Sequence, residues 1–503
     1  MDKNTDELLI KYYENLSVAI SENDSFYCEH EPFHPSEGYP EYTLGSICNC
    51  KNPAYAAVRS CLQSLGMDME NYGKVSWNPF MNIIKPGNTV VLKPNFVLSR
   101  HYSEGNLFSI ITHPSVLRAI IDYVYISLKG EGEIIIADAP QMDCDFEELL
   151  KATRLTSIKD LYQLKYGFEI KILDLRDFWL EKNKTDDTFA STEKRHSLIG
   201  DPKGSVLVNL SKKSKFYGLE NLDNIYGADY NRNETIRHHH NDIHEYIVSK
   251  TIMDADVVIS VPKLKVHKKV GVTLNSKGLV GINTNKNCLI HFTLGTPEKG
   301  GDQFPSKLLS MRETLLIKTQ RKLSDILLSS KNPIYDSIYK FSYQIYRKFI
   351  RPWYGTISKD KLILDAGNWN GNESAWRMVS DLMHIAIFAD NKGVLHSEPQ
   401  RKIFSVVDGI IGGENNGPLT PECNYAGIIA AGYNPIAVDV VCTALMGLNH
   451  KKIKSILNLL DGPYGFDSNN IIIYGGKKYS NVLKMPGKYL DFKPHPGWLN
   501  IKN

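Results

Sequence analysis

The feature that most constrains the fold of this sequence is a repeated alternation of short apolar runs with amphipathic segments. Thr89–Asn95 and Glu133–Asp138 are β-branched runs of strand length. A segment of helical periodicity, His113–Leu128, separates them and begins with a capping His-Pro pair. Strands that alternate with helices pair in parallel. The sequence therefore predicts an α/β fold with mostly parallel sheets and flanking helices.

The same alternation resumes after residue 360 and indicates a second α/β lobe. Leu362–Asp365 and Ile403–Asp408 are predicted strands, and Ala375–Phe388 is a predicted helix. At 503 residues the chain exceeds what one core usually needs. We therefore predict four parts, namely an N-terminal extension over 1–80, a first α/β lobe over 81–303, a helical insertion over 304–356 and a second α/β lobe over 357–503.

Composition limits the classes of partner. A formal net charge of +3 creates no whole-chain field that could recruit nucleic acid, so no nucleic-acid partner is expected. No apolar run approaches the ~20 residues of a membrane helix, and Met1–Glu7 lacks the basic start and apolar centre of a secretory signal. The expected location is cytoplasmic.

The cysteines permit two interpretations. All eight are scattered along the chain, which is typical of reduced thiols. Cys48 and Cys50, together with Cys28 and Cys61, could instead bind zinc, although C-x-C is not a standard knuckle spacing. The sequence has no C-x-x-C-x-x-C run, so no iron–sulphur cluster is expected.

The highest density of function-capable side chains follows an apolar run, Asp254–Pro262, that is stopped by proline. Open α/β sheets bind ligands at the carboxyl ends of such strands. Cations and glycines interleave in the next stretch, which suits a loop whose backbone approaches an anion closely. A solvated basic loop is the plainer alternative. The cations are Lys263, Lys265, His267, Lys277, Lys286 and His291.

The candidate catalytic groups come from this loop and from a second segment. Histidine can move a proton near neutral pH, and a partly desolvated lysine can act as a base, a nucleophile or an anion clamp. A predicted glycine-rich turn after residue 407 carries carboxylates that could bind a divalent cation or act as a base; a purely structural turn is the alternative. The candidate catalytic residues are His267, Lys277, His291, Asp408 and Glu414, and the candidate metal ligands are His267, His291 and Asp408.

Polar residues at other strand ends complete the predicted site. Parallel strands end at the same edge of a sheet, so these side chains would share one rim, although capping roles would also explain them. The candidate substrate-binding residues are Lys93, Asn95, Asp138, Lys263, Lys265 and Asn416. We expect this edge to include Asn95, Asp138, His267, Asp365 and Asp408.

Two further segments each permit a functional and a structural interpretation. In a helix, His240 and His244 would lie one turn apart, as in two-histidine metal sites; surface histidines are the alternative. Ser306–Arg351 holds ten Lys or Arg against three acidic residues, with aromatic residues in its second half. Such a segment either contacts a membrane surface, here through residues 304–354, or forms a helical hairpin that buries its aromatics.

Five short motifs occur together between about residues 84 and 450: Val91–Asn95, Ile136–Pro140, Ala255–His267, Asp408–Pro418 and Asn434–Asp439. In this combination the chain resembles the uncharacterised family called Domain of Unknown Function 362. That family is sometimes attached to ferredoxin-like iron–sulphur modules, whose cysteine clusters this chain lacks.

The order His267, Lys277, His291 is also distantly similar to that of the nickel-pincer lactate racemases, in which a cofactor-bearing lysine stands between two histidines. The first histidine lies far closer to the lysine here, and Asn275–Leu279 is not their lysine motif. The similarity therefore implies a reactive lysine flanked by histidines, and not the nickel cofactor.

Two classes of function follow. The first is an enzyme that acts on a small anionic or carbohydrate-like substrate, with a divalent metal as an open option. The second is a non-catalytic anion-binding or assembly protein, with peripheral membrane contact as an option. Substrate, reaction type and oligomeric state follow from no pattern in the sequence.

Overall fold

The computed structural model describes residues 3–43, 45–181, 194–228, 232–328, 357–463, 465–485 and 487–502, with scattered positions between 338 and 348. The helices are α1 Lys3–Tyr13, α2 Pro53–Ser64, α3 Pro114–Leu128, α4 Phe146–Thr153, α5 Thr156–Tyr166, α6 Arg232–His238, α7 Lys250–Met253, α8 Leu274–Gly278, α9 Met311–Leu328, α10 Lys359–Leu362, α11 Ala375–Phe388, α12 Pro435–Leu445 and α13 Lys454–Leu460. The strands are β1 Ser17–Glu22, β2 Thr89–Pro94, β3 Glu133–Asp138, β4 Ile170–Asp174, β5 Phe178–Glu181, β6 Lys194–Ser197, β7 Ser205–Asn209, β8 Ile225–Tyr226, β9 His239–His240, β10 Ile243–Ser249, β11 Val257–Val261, β12 Lys263–His267, β13 Gly271–Val272, β14 Phe292–Thr293, β15 Lys402–Glu414, β16 Glu422–Asn424, β17 Ile428–Gly432 and β18 Ile472–Tyr474.

A large mixed sheet forms the centre of the protein and confirms the predicted α/β class. Its main path has the order β18-β1-β17-β15-β11-β2-β3-β4, and β12, β13 and β16 extend it to 11 strands. The neighbours from β15 to β4 all pair in parallel, whereas β17 pairs antiparallel with both β15 and β1. Strands from both predicted lobes and from the N-terminal extension are thus hydrogen-bonded in one sheet. The predicted domain boundaries stay a prediction.

Alternate residues of each central strand point to opposite faces, and helices cover both. In β2, Val90 and Leu92 pack in the apolar cluster that includes α2 and α3, whereas Val91 packs with α11 on the other face. Full burial of such a side chain contributes roughly 1.5–3 kcal/mol. The helix α3 begins as predicted, with Pro114 in its first turn and the His113 side chain accepting a hydrogen bond from Ser115 N at 3.1 Å. The two-residue period of the strands therefore explains the layered core.

Two secondary-structure predictions are wrong. Leu362–Asp365 is not a strand, because the chain forms α10 and then a 3₁₀ helix, Asp365–Gly367, stabilised by local hydrogen bonds and leaving Leu362 40% exposed. His240 and His244 do not share a helix but lie on the paired strands β9 and β10. The alternating burial of β10 favours a strand there.

The segment predicted as a loop contains two short strands and several helical turns, and the segment predicted as a glycine-rich turn is largely a strand. Lys263–His267 is β12, which pairs with β15 and forms a hairpin with β13. Asp408–Glu414 continues β15 without turning. The glycines there permit close packing, because a Cβ on Gly409 would overlap Ile428 and one on Gly412 would overlap the Phe492 ring.

The predicted helical insertion is described only in part. Its first half contains the helix α9, and among the aromatic residues of its second half the described Phe341 is 67% exposed. The other aromatics of that half lie outside the described residues. Within the described part of the chain, no helix combines the length and apolar character needed to cross a membrane.

Candidate functional site

The site is built around a buried ion pair at the carboxyl ends of β2 and β3. Lys93 Nζ lies 2.6 Å from Asp138 Oδ1 and also donates to Pro94 O at 2.9 Å. The second carboxylate oxygen of Asp138 accepts from Phe96 N at 2.7 Å. A Cβ on Gly281 would overlap both Asp138 and Lys93, so glycine is required there. The pair brings one negative charge into a region that is otherwise cationic.

Lys277 reaches this region from the short helix α8. Asp439 of α12 fixes the helix by accepting hydrogen bonds from Asn275 N at 2.8 Å and Ser276 N at 2.9 Å. Lys277 is half-buried, and its ammonium has no hydrogen bond or ion pair in the described part of the chain. Burial lowers the pKa of Lys277 to about 8, and the charge of Lys93 acts in the same direction. Lys277 is therefore a cation that the described residues leave without a direct counter-ion.

Two more buried lysines are affected by the charge of Lys277 and bind carbonyl oxygens. Lys265 Nζ donates to Ile110 O at 2.7 Å, and Lys286 Nζ donates to Ala139 O at 2.7 Å. Burial lowers the pKa of Lys265 well below its usual value and that of Lys286 to about 7, and the Lys277 charge lowers both further. These side chains are held in place by neutral acceptors, so burial lowers their pKa values and the charge of Asp138 offsets that effect only in part.

The two candidate histidines belong to the same group and are neutral. Desolvation, followed by nearby lysine charges including that of Lys277, lowers the pKa of His267 well below normal and that of His291 to about 3. His267 Nδ1 accepts from Lys269 N at 3.1 Å, which assigns its proton to Nε2. His291 Nδ1 lies 3.0 Å from Leu289 O and must donate, which leaves Nε2 as an acceptor. One imidazole can thus donate a hydrogen bond and the other can accept one.

We call this group the lysine cluster; its members are Lys93, Lys265, Lys277, Lys286, His267, His291 and Asp138. Four lysines accompany one carboxylate, and that carboxylate already binds Lys93. Like charges in a poorly solvated region oppose one another's protonation. The cluster therefore has the electrostatic character of a site for a small anion.

Asp408 and Lys263 lie near one another but form a closed structural unit. Their ion pair of 3.0 Å is fully buried, and Tyr27 OH lies 2.6 Å from both Asp408 Oδ1 and Lys263 Nζ. Asp408 Oδ2 also accepts from His113 N at 2.9 Å. These partners occupy the oxygens that a substrate or a metal would need.

The remaining candidates have other local roles. Glu414 accepts from Asn424 Nδ2 at 2.9 Å and pairs with Lys493 at 3.5 Å, and Asn416 is exposed. Asn95 Nδ2 donates to Ile110 O at 2.8 Å, the carbonyl that also binds Lys265, so Asn95 supports the lysine cluster indirectly.

Among the described residues, the only group of three potential metal ligands is Cys28, Cys48 and Cys50. The proposed set His267, His291 and Asp408 is not brought together in such a group. Asp365 accepts from Gln303 Nε2 at 2.8 Å, and its charge offsets a small part of the lowering of the Lys269 pKa by burial.

Two residues that take part in these groups were not predicted from the sequence. Lys269 donates to Ala366 O, and burial lowers its pKa to about 7. Its position two residues after His267 was a usable signal. Tyr27 had no such signal, because its partner Asp408 lies 381 residues away.

The comparisons with known proteins identify a family but no activity. A family model described as Domain of unknown function (DUF362) matches residues 90–189 and 208–444, which include the whole lysine cluster. No match was found among curated proteins or among solved structures.

Proposed function

Because the chain belongs to the family described as Domain of unknown function (DUF362), whose description carries no activity, we propose a function from the lysine cluster itself. The protein is an enzyme that binds a small anionic, carbohydrate-like substrate, such as a sugar acid or a sugar phosphate, and transfers a proton at it. The observation that carries this proposal is the half-buried Lys277 ammonium, which has no direct partner in the described structure.

Charge balance supports the binding step. The pKa of Lys277 is lowered to about 8 and that of Lys286 to about 7, first by burial and then by neighbouring cations, which are Lys93 for Lys277 and Arg176 followed by Lys93 for Lys286. A bound carboxylate or phosphate would supply the missing negative charge and favour protonation of Lys265 and Lys286. Lys265 and Lys286, held by carbonyl oxygens, would then act as fixed clamps on the anion.

The protonation states support the catalytic step. A general base works best when its pKa lies near the working pH, and Lys277 is the unpartnered group that meets this condition. Its neutral amine would take a proton from the substrate and return it from the resulting ammonium. His267 Nε2–H would stabilise the oxygen on which negative charge develops, and His291 Nε2 would accept a hydroxyl hydrogen bond.

A non-catalytic anion-binding protein is the second candidate. It is favoured by the placement of Asp408 and Glu414, because these carboxylates are paired with Lys263 and Lys493 and not with Lys277. Their predicted roles as base or metal ligand then have no support from the contacts. Binding without turnover is the behaviour that would distinguish this candidate.

Deuterium incorporation tests proton transfer whatever product the reaction forms. The protein is incubated in D₂O with a panel of sugar acids, 2-hydroxy acids and sugar phosphates, and exchange at carbon is followed by NMR. We expect exchange in at least one compound and a loss of at least about 100-fold in Lys277→Met, the usual scale of a general base. Lys392→Met, at an exposed lysine, is the matched control.

Three outcomes are informative. Exchange that is unchanged in Lys277→Met would refute the assigned base. Phosphate binding by calorimetry without exchange in any compound would favour the non-catalytic candidate. Absence of both binding and exchange would refute the anion site.

A further inference from the structure

Three cysteine side chains converge in the N-terminal segment, outside the lysine cluster. The sulfur atoms of Cys28, Cys48 and Cys50 all lie within 4.8 Å of one another. Cys28 Sγ and Cys50 Sγ are 3.3 Å apart. Cys61, the fourth cysteine considered from the sequence, is outside this group, since its buried thiol donates to Ile429 O at 3.3 Å.

The spacing of these sulfurs suits ligands of a single ion. With a Zn–S bond of ~2.3 Å, two thiolates on a tetrahedral ion lie about 3.8 Å apart and never more than about 4.6 Å. The Cys28–Cys50 separation of 3.3 Å is within this limit, and no two of the three sulfurs are more than 4.8 Å apart. In a [4Fe–4S] cluster each cysteine binds a different iron atom, so the three sulfurs would lie farther apart than they do here. A thiol–thiol contact alone is a weak interaction and would not explain the convergence.

A metal ion at this position would stabilise the segment between β1 and α2. Between β1 and α2 the described residues form no regular helix or strand, so this long segment lacks the usual backbone pairing. It nevertheless carries Tyr27, whose hydroxyl contacts Asp408 and Lys263 in the core. Cys28 is the next residue, so a metal bound there would hold Tyr27 in place. Cys48 and Cys50 are half-buried and leave a path for entry of the ion.

We propose that Cys28, Cys48 and Cys50 form a binding site for one thiophilic metal ion of the Zn²⁺ type, with a fourth position taken by a non-protein ligand. The site is independent of the proposed proton transfer. Its role is to cross-link the segment between β1 and α2 from Cys28 to Cys50, next to the residue Tyr27 that contacts the core. Binding converts the three thiols to thiolates and releases their protons to solvent.

Metal analysis of the full-length protein tests the site. Protein purified without chelator is examined by elemental mass spectrometry, and metal-free protein is titrated with Co²⁺, whose thiolate complexes absorb in the near ultraviolet. We expect one equivalent of metal and a saturable thiolate–cobalt band. Cys48→Ser and Cys50→Ser should lose both, whereas Cys288→Ser, a buried thiol in a different apolar cluster, should keep both.

A chelator experiment on the wild-type protein distinguishes the loss of metal from misfolding of the serine variants. Removing the metal from the wild-type protein should lower its melting temperature, and Zn²⁺ should restore it; Cys48→Ser should respond to neither. A Cys28–Cys50 disulfide found by non-reducing peptide mapping in metal-free protein would overturn the proposal. Iron with acid-labile sulfide at this site, or metal retained in both serine variants, would overturn it as well.

Discussion

Lys263 and Asp408 form an ion pair of 3.0 Å in which both side chains are fully buried. The pair joins β12 to β15 at the register position Lys263↔Asp408. Tyr27 completes it with one hydroxyl that accepts from Lys263 and donates to Asp408. Because each charge is satisfied by the other and by a neutral hydroxyl, this group stabilises the junction of three distant segments rather than presenting a reactive carboxylate.

The first prediction concerns the cost of breaking this pair. Asp408→Ala leaves the Lys263 charge buried without a partner and should lower the free energy of unfolding by about 3–5 kcal/mol. Urea denaturation followed by circular dichroism measures the change. The exposed pair Lys493–Glu422 is the control, and Glu422→Ala should cost ~1 kcal/mol or less. Equal stability of Asp408→Ala and wild type would show that the pair has no structural role.

The second prediction separates binding from stability at Lys277. Since its ammonium is desolvated and has no direct partner in the described structure, Lys277→Ala should not lower the free energy of unfolding. The same change removes a cation from the anion site and should weaken phosphate binding about tenfold, as one charged hydrogen bond would. Thermal denaturation and calorimetry test the two halves.

His267→Ala should likewise abolish activity while leaving the melting temperature close to that of wild type. If Lys277→Ala and His267→Ala both destabilise strongly, the structural interpretation of the cluster is favoured instead. Lys392→Ala should change neither stability nor phosphate affinity.

The third prediction concerns pH. Burial lowers the pKa of Lys277 to about 8 and that of Lys286 to about 7, whereas an unfolded lysine titrates near ~10.4. Between these values the unfolded chain binds more protons than the folded one, so stability should rise with pH from about 7 to about 10 in the absence of anion. Below about 7 both states are protonated, and this contribution stays constant at its lower level. Urea denaturation across this range measures the slope, which should be smaller in Lys286→Met.

Anion binding should have the opposite dependence on pH. A bound phosphate favours the protonated form of the clamp residue Lys286, so binding near pH 8 should take up protons and weaken as the pH rises further. Calorimetry in two buffers of different ionisation enthalpy measures the uptake. Zero or negative uptake would contradict the assigned protonation states.

The fourth prediction concerns the basic insertion at residues 304–354. Arg312, Lys318 and Lys322 are exposed on α9, and each cation near an anionic surface contributes on the order of 1 kcal/mol. We expect weak sedimentation with phosphatidylserine vesicles that disappears at high salt. Replacing the three residues with glutamine should reduce it, with Lys392→Gln as the control. Binding that persists at high salt, or that is unchanged by the triple substitution, would exclude this segment as the cause.

Local sequence patterns determined most of the regular structure. The strand Glu133–Asp138 and the helix Ala375–Phe388 have the predicted bounds, because hydrophobic periodicity depends on neighbours a few residues away. The motifs spread over the chain also sufficed to indicate the family. The same local patterns indicated the lysines and histidines of residues 263–291 as candidate site residues.

Only the tertiary structure decided which of those polar groups have a hydrogen-bonding or ionic partner. Asp408 and Lys277 are equally suitable catalytic residues in sequence, yet one is enclosed by Tyr27 and Lys263 and the other has no direct partner in the described structure. Likewise, the glycines after Asp408 predict a turn, but close packing against Phe492 explains Gly412 within a strand. Partners of this kind come from sheet order and register across hundreds of residues, whereas periodicity reports only which face of its own element a residue occupies.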